Sequence, residues 1–368
     1  MTAATAPRVG VLIADDSAVA RRLLTLVLAD HPSLRIVGVA ADGRAALDRI
    51  RTLGPDAVVL DVEMPVLDGI ETLAALRAEH PDLPVIMFSA VTERGAAVTL
   101  EALSLGATDY VTKPAGSTGH EQAVRDVREQ LVPKLLAAVH HQRNLAGQPV
   151  RPGPRGGTAN RPPGPVDVVA IGGSAGGPNA LRALLAQLPG DFPLPVLVVQ
   201  HMPAVFTRQL AERLADVSPL RVAEAVGGEP LVPGHVWIAP GGRHLAVRRE
   251  PAGGVRVVVH DGPAENSCRP AVDVLFRSLA ETYGSRVLAV VLTGMGKDGL
   301  EGARRVRRRG GWVLAQDQAS AVVWSMPGAV VGAGLADGVL PPDELGKEVV
   351  RRTAVGRRRG AVPSTGDA

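Results

Sequence analysis

The sequence predicts two α/β domains in tandem, each built around a doubly wound parallel sheet. Short aliphatic runs alternate with helical patterns along both halves of the chain, which is typical of parallel strands covered by helices. Aromatic residues make up only 2% of the 368 residues, so the cores must be assembled from Val, Leu, Ala and Ile, as buried parallel strands usually are. The length also exceeds that of one average domain.

The charged residues argue against a dedicated nucleic-acid surface. The net charge is +3, and arginines concentrate in residues 151–161, 304–309 and 351–359. A basic run can contact nucleic acid or an acidic protein surface, but no aromatic side chains interleave with these arginines to stack on bases. We therefore interpret the runs as solvated helix faces or tails, and we expect no specific nucleic-acid partner.

Cysteine content and hydropathy indicate a cytoplasmic protein. The single cysteine, Cys268, excludes an internal disulfide and a Cys-based zinc site. The first apolar run, Val9–Ala14, stops at Asp15 and provides no signal segment. No apolar stretch approaches the ~20 residues that a membrane span requires, so we expect no membrane insertion.

The first domain, residues 8–130, is predicted to contain five strands that alternate with helices. The segment from Ser17 to Asp30 is a representative helix, because Ser17 is a favourable N-cap ahead of an apolar-periodic segment. Five such strands give a doubly wound parallel sheet. The predicted strands are Val9–Ala14, Arg35–Ala40, Ala57–Leu60, Val85–Phe88 and Asp109–Thr112.

Reactive side chains follow the ends of these strands. Asp15 and Asp16 follow the first strand, and Asp61 follows the third. Because the carboxyl ends of parallel strands meet at one sheet edge, the three carboxylates are expected to converge, and Mg²⁺ would relieve their repulsion. Asp61 could then attack a phosphoryl donor. Ser89, which ends the fourth strand, and Lys113, which follows the fifth, would hold the phosphoryl oxygens.

These positions resemble the receiver domain of two-component response regulators. The resemblance rests on the segments IADDSAVARR, LDVEMPVLDGIETL, VIMFSA and GATDYVTKP. It implies a flavodoxin-like sheet, phosphorylation by a histidine kinase, and a requirement for Mg²⁺. The residues that it implies are Asp61 as phosphoacceptor, Asp15, Asp16, Asp61 and Glu63 (through its backbone carbonyl) around the metal, and Ser89, Tyr110 and Lys113 as the switch residues.

The second domain is predicted to span residues 166–350. Residues 131–165 connect it to the first domain as a helical extension followed by a Pro/Gly/Arg-rich linker, which begins near Leu145 and cannot bury apolar area. A β-rich insertion, about 222–260, is expected between the second and third strands of the new sheet. The predicted strands are Val166–Ile171, Val196–Gln200 and Val287–Leu292.

A glycine-rich turn follows the first of these strands and contains the pattern Gly172-x-Ser174-x-Gly176. A dinucleotide cradle would need glycine in place of Ser174 and an acidic residue near the end of the next strand, and the next strand ends in Gln200 and His201 instead. The alternative is a nucleophile elbow, in which small flanking residues push the serine hydroxyl outward at a helix N-terminus.

A serine nucleophile needs a base, and the base needs an orienting carboxylate. His201 lies at the end of the next strand, and Asp298 lies in the loop after Val287–Leu292. We therefore predict a triad of Ser174, His201 and Asp298. The order Ser, His, Asp differs from the usual α/β-hydrolase order, so the triad would be convergent.

This half resembles the catalytic domain of chemotaxis protein-glutamate methylesterases, the CheB family. The segments that carry the resemblance are VVAIGGSAGGPNAL, VVQHMPAVFTRQLAERL, GGEPLVPGHVWIAPGGRHL, HDGP, RPAVDVLFRSLA and VVLTGMGKDG. It implies Ser174 as nucleophile, His201 as base and Asp298 as its partner, with an oxyanion hole at Met295 and Ala175. Ala175 stands where some relatives carry a hydroxyl residue.

The resemblance also implies a substrate and a form of control. The expected reaction removes methyl esters from glutamate side chains of chemoreceptors and deamidates receptor glutamines, with no cofactor for the hydrolase. An unmodified receiver would cover the catalytic crevice, and phosphorylation would release it. Two alternatives are a DNA-binding response regulator, which would need a helix-turn-helix output, and a receiver fused to an inactive docking module.

Overall fold

The computed structural model describes residues 7–114, 119–147 and 164–358. The chain divides into two compact units, Met1–Pro149 and Val150–Ala368. Most of the predicted linker lies outside the described residues, although the helix before it continues to Gly147. The domain limits 8–130, 131–165 and 166–350 stay predictions.

The first unit is a five-stranded parallel sheet with the strand order β2-β1-β3-β4-β5. Every residue of β1, β3 and β4 is buried, because helices cover both faces of the sheet, as the doubly wound prediction requires. The elements are β1 (Val9–Ala14), α1 (Ala18–Ala29), β2 (Leu34–Ala40), α2 (Gly43–Leu53), β3 (Ala57–Asp61), α3 (Gly69–Glu79), β4 (Val85–Ser89), α4 (Glu93–Ser104), β5 (Asp109–Thr112) and α5 (His120–Gly147).

Side-chain caps fix where the helices of this unit begin. Ser17 is the N-cap of α1, as predicted, and its hydroxyl accepts a hydrogen bond from the N–H of Ala20. Asp68 and Glu71 form a reciprocal capping box at the start of α3, which satisfies two backbone donors that a helix start leaves free. Helices α1, α2 and α4 start within four residues of the end of a strand, and the strand-end residues gather at one edge.

The second unit contains a seven-stranded parallel sheet with the order β14-β13-β12-β6-β7-β9-β8. The elements are β6 (Val168–Gly173), α6 (Gly177–Leu185), β7 (Val196–Gln200), α7 (Ala204–Val217), β8 (Arg221–Glu224), β9 (His235–Ile238), β10 (His244–Arg249), β11 (Val255–His260), α8 (Val272–Tyr283), β12 (Val287–Val291), α9 (Leu300–Arg308), β13 (Trp312–Gln316), α10 (Ser325–Gly332), β14 (Gly338–Leu340) and α11 (Pro342–Arg358). The fold class predicted for this half, a doubly wound α/β domain, is confirmed.

The expected β-rich insertion is smaller than its predicted limits. Strands β8 and β9 join the main sheet in parallel beside β7, and only β10 and β11 form a separate antiparallel hairpin. The sequence does not distinguish a strand of the main sheet from a strand of the hairpin here. β9 buries only alternate residues, and such a pattern is equally typical of a hairpin strand with one solvated face.

Apolar packing of α8 joins the hairpin to the main sheet. Phe276 and Leu279 of α8 are fully buried in a cluster that also contains Leu245 of β10 and Ala289 of β12. Helix α9 approaches α8 closely, since a Cβ atom on Gly302 would lie 2.6 Å from the Cβ atom of Phe276. The side chain of Phe276 therefore fills space between the helices, the hairpin and the sheet.

The arginines of α9 pair with acidic residues of the same unit. Arg304 lies 3.1 Å from Glu301, and Arg305 lies 3.2 Å from Glu281. Arg307 lies 2.7 Å from the buried carboxylate of Asp337, so it is not simply solvated. The interpretation of the run as a solvated helix face stays a prediction. Across the described parts of the chain, no helix is both long enough and apolar enough to cross a lipid bilayer.

Replacing Phe276 with alanine is expected to lower the free energy of unfolding of the second unit by about 3–5 kcal/mol, because it leaves a cavity in a filled core. All three tryptophans, Trp237, Trp312 and Trp324, lie in this unit, so tryptophan fluorescence during urea unfolding reports on it. Val226→Ala is the control, since Val226 is 76% exposed and should leave the midpoint unchanged. Equal midpoints for both variants would contradict the assignment of Phe276 to the core.

Candidate active site and carboxylate cluster

Three carboxylates of the first unit meet at the carboxyl edge of its sheet, as predicted. One oxygen from each of Asp15, Asp16 and Asp61 lies within 4.8 Å of the others. Asp15 and Asp61 are buried, whereas Asp16 is exposed. The ammonium group of Lys113 lies 2.8 Å from Asp61 Oδ1 and 3.1 Å from Asp15 Oδ2.

Burial is the largest influence on the Asp61 carboxyl and raises its pKa. The hydrogen bond from Lys113 opposes this effect, the charge of Asp15 adds to it, and the resulting pKa is about 6. A pKa raised in this way means that the site favours neutralisation of its negative charge. The donor set consists of carboxylate oxygens, which is the chemistry that Mg²⁺ prefers, so the residues present fit that ion.

The remaining predicted residues of this site lie in two places. Glu63 and Ser89 line the same cleft as Asp61 and Lys113, and the Ser89 hydroxyl donates a hydrogen bond to the backbone carbonyl of Gly95. Tyr110 is buried beside Lys134, whose ammonium group lies 5.0 Å from the centre of the tyrosine ring. Tyr110 is therefore not among the residues that line the cleft.

In the second unit, the Ser174 turn is held by its backbone. The N–H of Ser174 donates to the carbonyl of Thr293, and the carbonyl of Ser174 accepts from the N–H of Gly177 at the start of α6. Gly176 has a φ angle of 73°, a conformation that favours glycine. The turn thus places Ser174 between the end of β6 and the N-terminus of α6, as a nucleophile elbow requires.

Two buried polar residues brace this turn, and sequence reasoning did not assign either of them. Gln200 donates from its side-chain amide to the carbonyl of Ser174 at 2.7 Å. The Thr293 hydroxyl donates to the carbonyl of Ala175 at 2.9 Å. A Cβ atom on Gly177 would lie 2.0 Å from Gln200 Oε1, so a larger residue at that position would displace the glutamine. The positions of Gln200 and Thr293 at strand ends were the available signal.

His201 and Asp298 are in direct contact. His201 Nε2 lies 2.8 Å from Asp298 Oδ2, and the backbone N–H of His201 donates to the carbonyl of Gly173, which places the histidine beside the Ser174 turn. Within the described residues, the Ser174 hydroxyl makes no hydrogen bond to the imidazole. His201 Nδ1 faces Cys268 Sγ at 3.6 Å instead.

Asn266, which the sequence did not single out, joins two buried carboxylates. Its side-chain amide donates to Asp298 Oδ1 at 3.1 Å and to Asp273 Oδ2 at 3.0 Å. Asp298 also accepts from the backbone N–H groups of Val272 and Asp273 at the start of α8. The carboxylate that orients His201 is therefore itself held by several donors.

The His201–Asp298 pair changes the acidity of both groups. Burial alone would lower the pKa of His201, but the hydrogen bond with Asp298 and the contact with Cys268 outweigh it and raise the pKa to about 9. Burial would raise the pKa of Asp298, but the hydrogen bond and charge of His201 and the backbone donors lower it below its usual range. Asp298 consequently stays ionised and favours the imidazolium form of its partner.

The two predicted oxyanion residues lie beside the serine. Ala175 follows Ser174 directly and is buried. Met295 follows Gly294, on which a Cβ atom would lie 2.7 Å from the Cβ atom of Ser174. Their assignment to an oxyanion hole stays a prediction.

Comparisons with known proteins agree with both halves of this description. Residues 169–349 match the CheB methylesterase family, and residues 11–125 match the response regulator receiver domain. A protein-glutamate methylesterase/protein-glutamine glutaminase of Trichodesmium erythraeum is 47% identical over 94% of this chain and 99% of its own length. This chain belongs to the CheB methylesterase family. A Nocardioides relative with the same name as the Trichodesmium protein is 49% identical over 95% of this chain and 96% of its own length.

A solved structure gives the same result for the second unit of this CheB-family chain. The catalytic domain of the Thermotoga maritima CheB methylesterase is 44% identical, covers 50% of this chain and 98% of its own length, and superposes with a TM-score of 0.50. The family assignment predicted from the sequence is confirmed.

Hydrolase activity is expected to rise with pH, and the midpoint of this rise should lie near pH 9. A base must be neutral to accept a proton, and the pKa of His201 is about 9, so the neutral fraction grows as the pH passes through that value. The test is the pH dependence of kcat/KM, compared with an NMR titration of the imidazole. Asp298→Asn should shift the NMR midpoint downward because it removes the carboxylate. A wild-type midpoint at the ordinary histidine value would contradict this prediction.

Proposed function

We propose that this protein is a phosphorylation-activated methylesterase that removes methyl esters from glutamate side chains of chemoreceptors. The observation that carries the proposal is the 2.8 Å contact between His201 Nε2 and Asp298 Oδ2 beside the Ser174 turn. The names of the relatives from Trichodesmium and Nocardioides support the substrate class. The same acyl chemistry would deamidate receptor glutamines, since only the leaving group differs.

In this mechanism, Ser174 Oγ attacks the γ-carbonyl of a methylated glutamate. His201 uses Nε2 to contact Asp298, so Nδ1 is the nitrogen that accepts the serine proton. Asp298 orients the imidazole and stabilises its positive charge. His201 then returns the proton to the leaving methoxide, methanol departs, and water hydrolyses the acyl-enzyme with His201 again acting as base.

The carbonyl oxygen gains negative charge in the tetrahedral intermediate. We assign its stabilisation to backbone N–H groups at Ala175 and Met295, together with the N-terminus of α6. The strand-end glycines support this assignment, because small residues allow the reacting carbonyl to approach the backbone. The hydrolase step requires no cofactor in this proposal.

Phosphorylation of Asp61 by a histidine kinase would regulate the hydrolase. Asp15, Asp16, Asp61 and the Glu63 carbonyl would hold Mg²⁺, which offsets the charge of the cluster during phosphoryl transfer. Lys113 would stabilise the phosphoryl oxygens, and Ser89 and Tyr110 would respond to the added charge of about −1.5 to −2. The expected cytoplasmic location, where kinase and ATP are present, belongs to the same proposal.

Ser174→Ala is expected to reduce methanol release from a methylated receptor fragment by at least about 10³-fold, because it removes the nucleophile. The measurement is methanol production by the full chain with acetyl phosphate present. A matched control is Ser278→Ala, which also replaces a half-buried serine but lies on α8, where its hydroxyl accepts a hydrogen bond from the N–H of Val247. Equal release by wild type and Ser174→Ala would contradict the nucleophile assignment.

Asp61→Asn is expected to abolish the stimulation of methanol release by acetyl phosphate while retaining the basal rate, because the amide cannot accept a phosphoryl group. Glu63→Gln is the matched control. It should keep the stimulation, since the proposed contribution of Glu63 is its backbone carbonyl. Stimulation that persists in Asp61→Asn would exclude this aspartate as the phosphoacceptor.

A further inference from the structure

The turn that precedes α8 presents a thiol to the active-site imidazole. Glu265 and Cys268 pair through two backbone hydrogen bonds, of 3.1 and 2.8 Å. The two residues between them, Asn266 and Ser267, have φ angles of 51° and 62°, as in a tight turn with two left-handed residues. The position of Cys268 is therefore set by a hydrogen-bonded backbone.

Side chains on both sides of the turn anchor it. Glu265 accepts two hydrogen bonds from the Arg277 guanidinium, of 2.6 and 2.8 Å. The Asn266 amide donates to Asp273 and Asp298. Charge-assisted and paired hydrogen bonds are stronger than single neutral ones, so the thiol is held in place rather than carried on a free loop.

The separation of the thiol and the imidazole matches that of two ligands on one metal ion. Zinc lies about 2.3 Å from sulfur and about 2.05 Å from nitrogen in proteins, and a tetrahedral angle between those bonds puts the two ligand atoms about 3.6 Å apart. The observed distance from Cys268 Sγ to His201 Nδ1 is 3.6 Å. We propose that these two atoms bind Zn²⁺ or a similar thiophilic divalent cation, which inhibits the hydrolase.

Asp298 would support this site by holding the imidazole at the ring nitrogen that does not bind the ion. It contacts the opposite ring nitrogen, Nε2, and so leaves His201 Nδ1 facing the thiol. A carboxylate on the second nitrogen of a metal-bound histidine is a common supporting arrangement. Cys268 is half-buried, which leaves water access for the remaining coordination positions. On binding, the thiol and the imidazolium Nδ1 each lose a proton to solvent, and no electron transfer is involved.

The inhibition rests on the proposed function, whereas the metal binding does not. An ion on His201 Nδ1 occupies the lone pair that would accept the serine proton, so catalysis stops while the ion is bound. The single cysteine led to the sequence-based exclusion of a Cys-based zinc site. That exclusion holds for sites built from several cysteines and does not extend to a mixed site with one cysteine and one histidine. The ion is therefore an inhibitor and not a cofactor.

Thiolate and imidazole also give the site its selectivity. Soft and borderline ligands favour Zn²⁺ and Co²⁺ over Mg²⁺, which prefers oxygen. Excess Mg²⁺ would occupy the oxygen-only cluster of Asp15, Asp16 and Asp61 and leave Cys268 free to react with the softer ion. The two metal sites can thus be tested separately in one sample.

The test is a Co²⁺ titration of the untagged, reduced full chain in excess Mg²⁺, followed by displacement with Zn²⁺. A thiolate-to-cobalt charge-transfer band reports only Cys268, because the chain has one cysteine. Wild type should develop the band at one equivalent and lose it on addition of Zn²⁺. Cys268→Ser should lack the band and, because the hydroxyl is a much poorer zinc ligand than the thiolate, bind Zn²⁺ at least about 10-fold more weakly in a chelator competition. A second pair of histidines, His244 and His260, has ring centroids 5.3 Å apart. His260→Gln is the control for metal binding at that pair and should behave like wild type.

A second experiment measures methanol release at increasing Zn²⁺ concentration. The Zn²⁺ concentration for half inhibition, measured relative to the uninhibited rate of each variant, should be at least about 10-fold higher in Cys268→Ser, because the weaker site fills later.

A missing band in wild type, or equal Zn²⁺ affinity in wild type and Cys268→Ser, would overturn the metal site. If the band appears but wild type releases no methanol even without Zn²⁺, the proposed function fails and the metal site stands. Unchanged activity with Zn²⁺ bound would overturn the inhibition.

Discussion

The buried carboxylate of Asp298 is the constraint on which the second unit's site depends. An ionised carboxylate away from water must be paired and hydrogen-bonded to be tolerated. Its donors come from the end of β7, the turn at Asn266, the start of α8 and its own loop: His201 Nε2, Asn266 Nδ2 and the backbone N–H groups of Val272, Asp273 and Gly299. Four separate segments are therefore fixed relative to one another by one charge.

The two units use buried aspartates in opposite ways. Asp61 lies beside the like charge of Asp15, and burial raises its pKa to about 6. Asp298 is surrounded by donors that lower its pKa. A buried carboxylate with few donors depends on a cation to offset its charge, whereas one with many donors is suited to keeping its charge. Residue type alone does not distinguish these roles, since the difference lies in the groups around each carboxylate.

Strand-end positions made much of the fold and site predictable from the sequence. The aliphatic runs predicted β1, β5 and β7 with their observed limits, and the residues at those ends met at the sheet edges. The contacts of Asn266 and Cys268 were not predictable, because they depend on a turn with two left-handed residues far from His201 in sequence. The membership of β8 and β9 in the main sheet was also not predictable, since the alternate burial of β9 is equally typical of a hairpin strand.

The wide sequence spacing of the Asp298 contacts bears on how the protein is made. His201 and Asp298 are 97 positions apart in the chain, so the pair cannot form until most of the second unit has left the ribosome. The first unit ends long before that point, and domains generally fold in order from the N-terminus during synthesis. The nascent chain would thus carry a folded receiver before it has any hydrolytic centre to control.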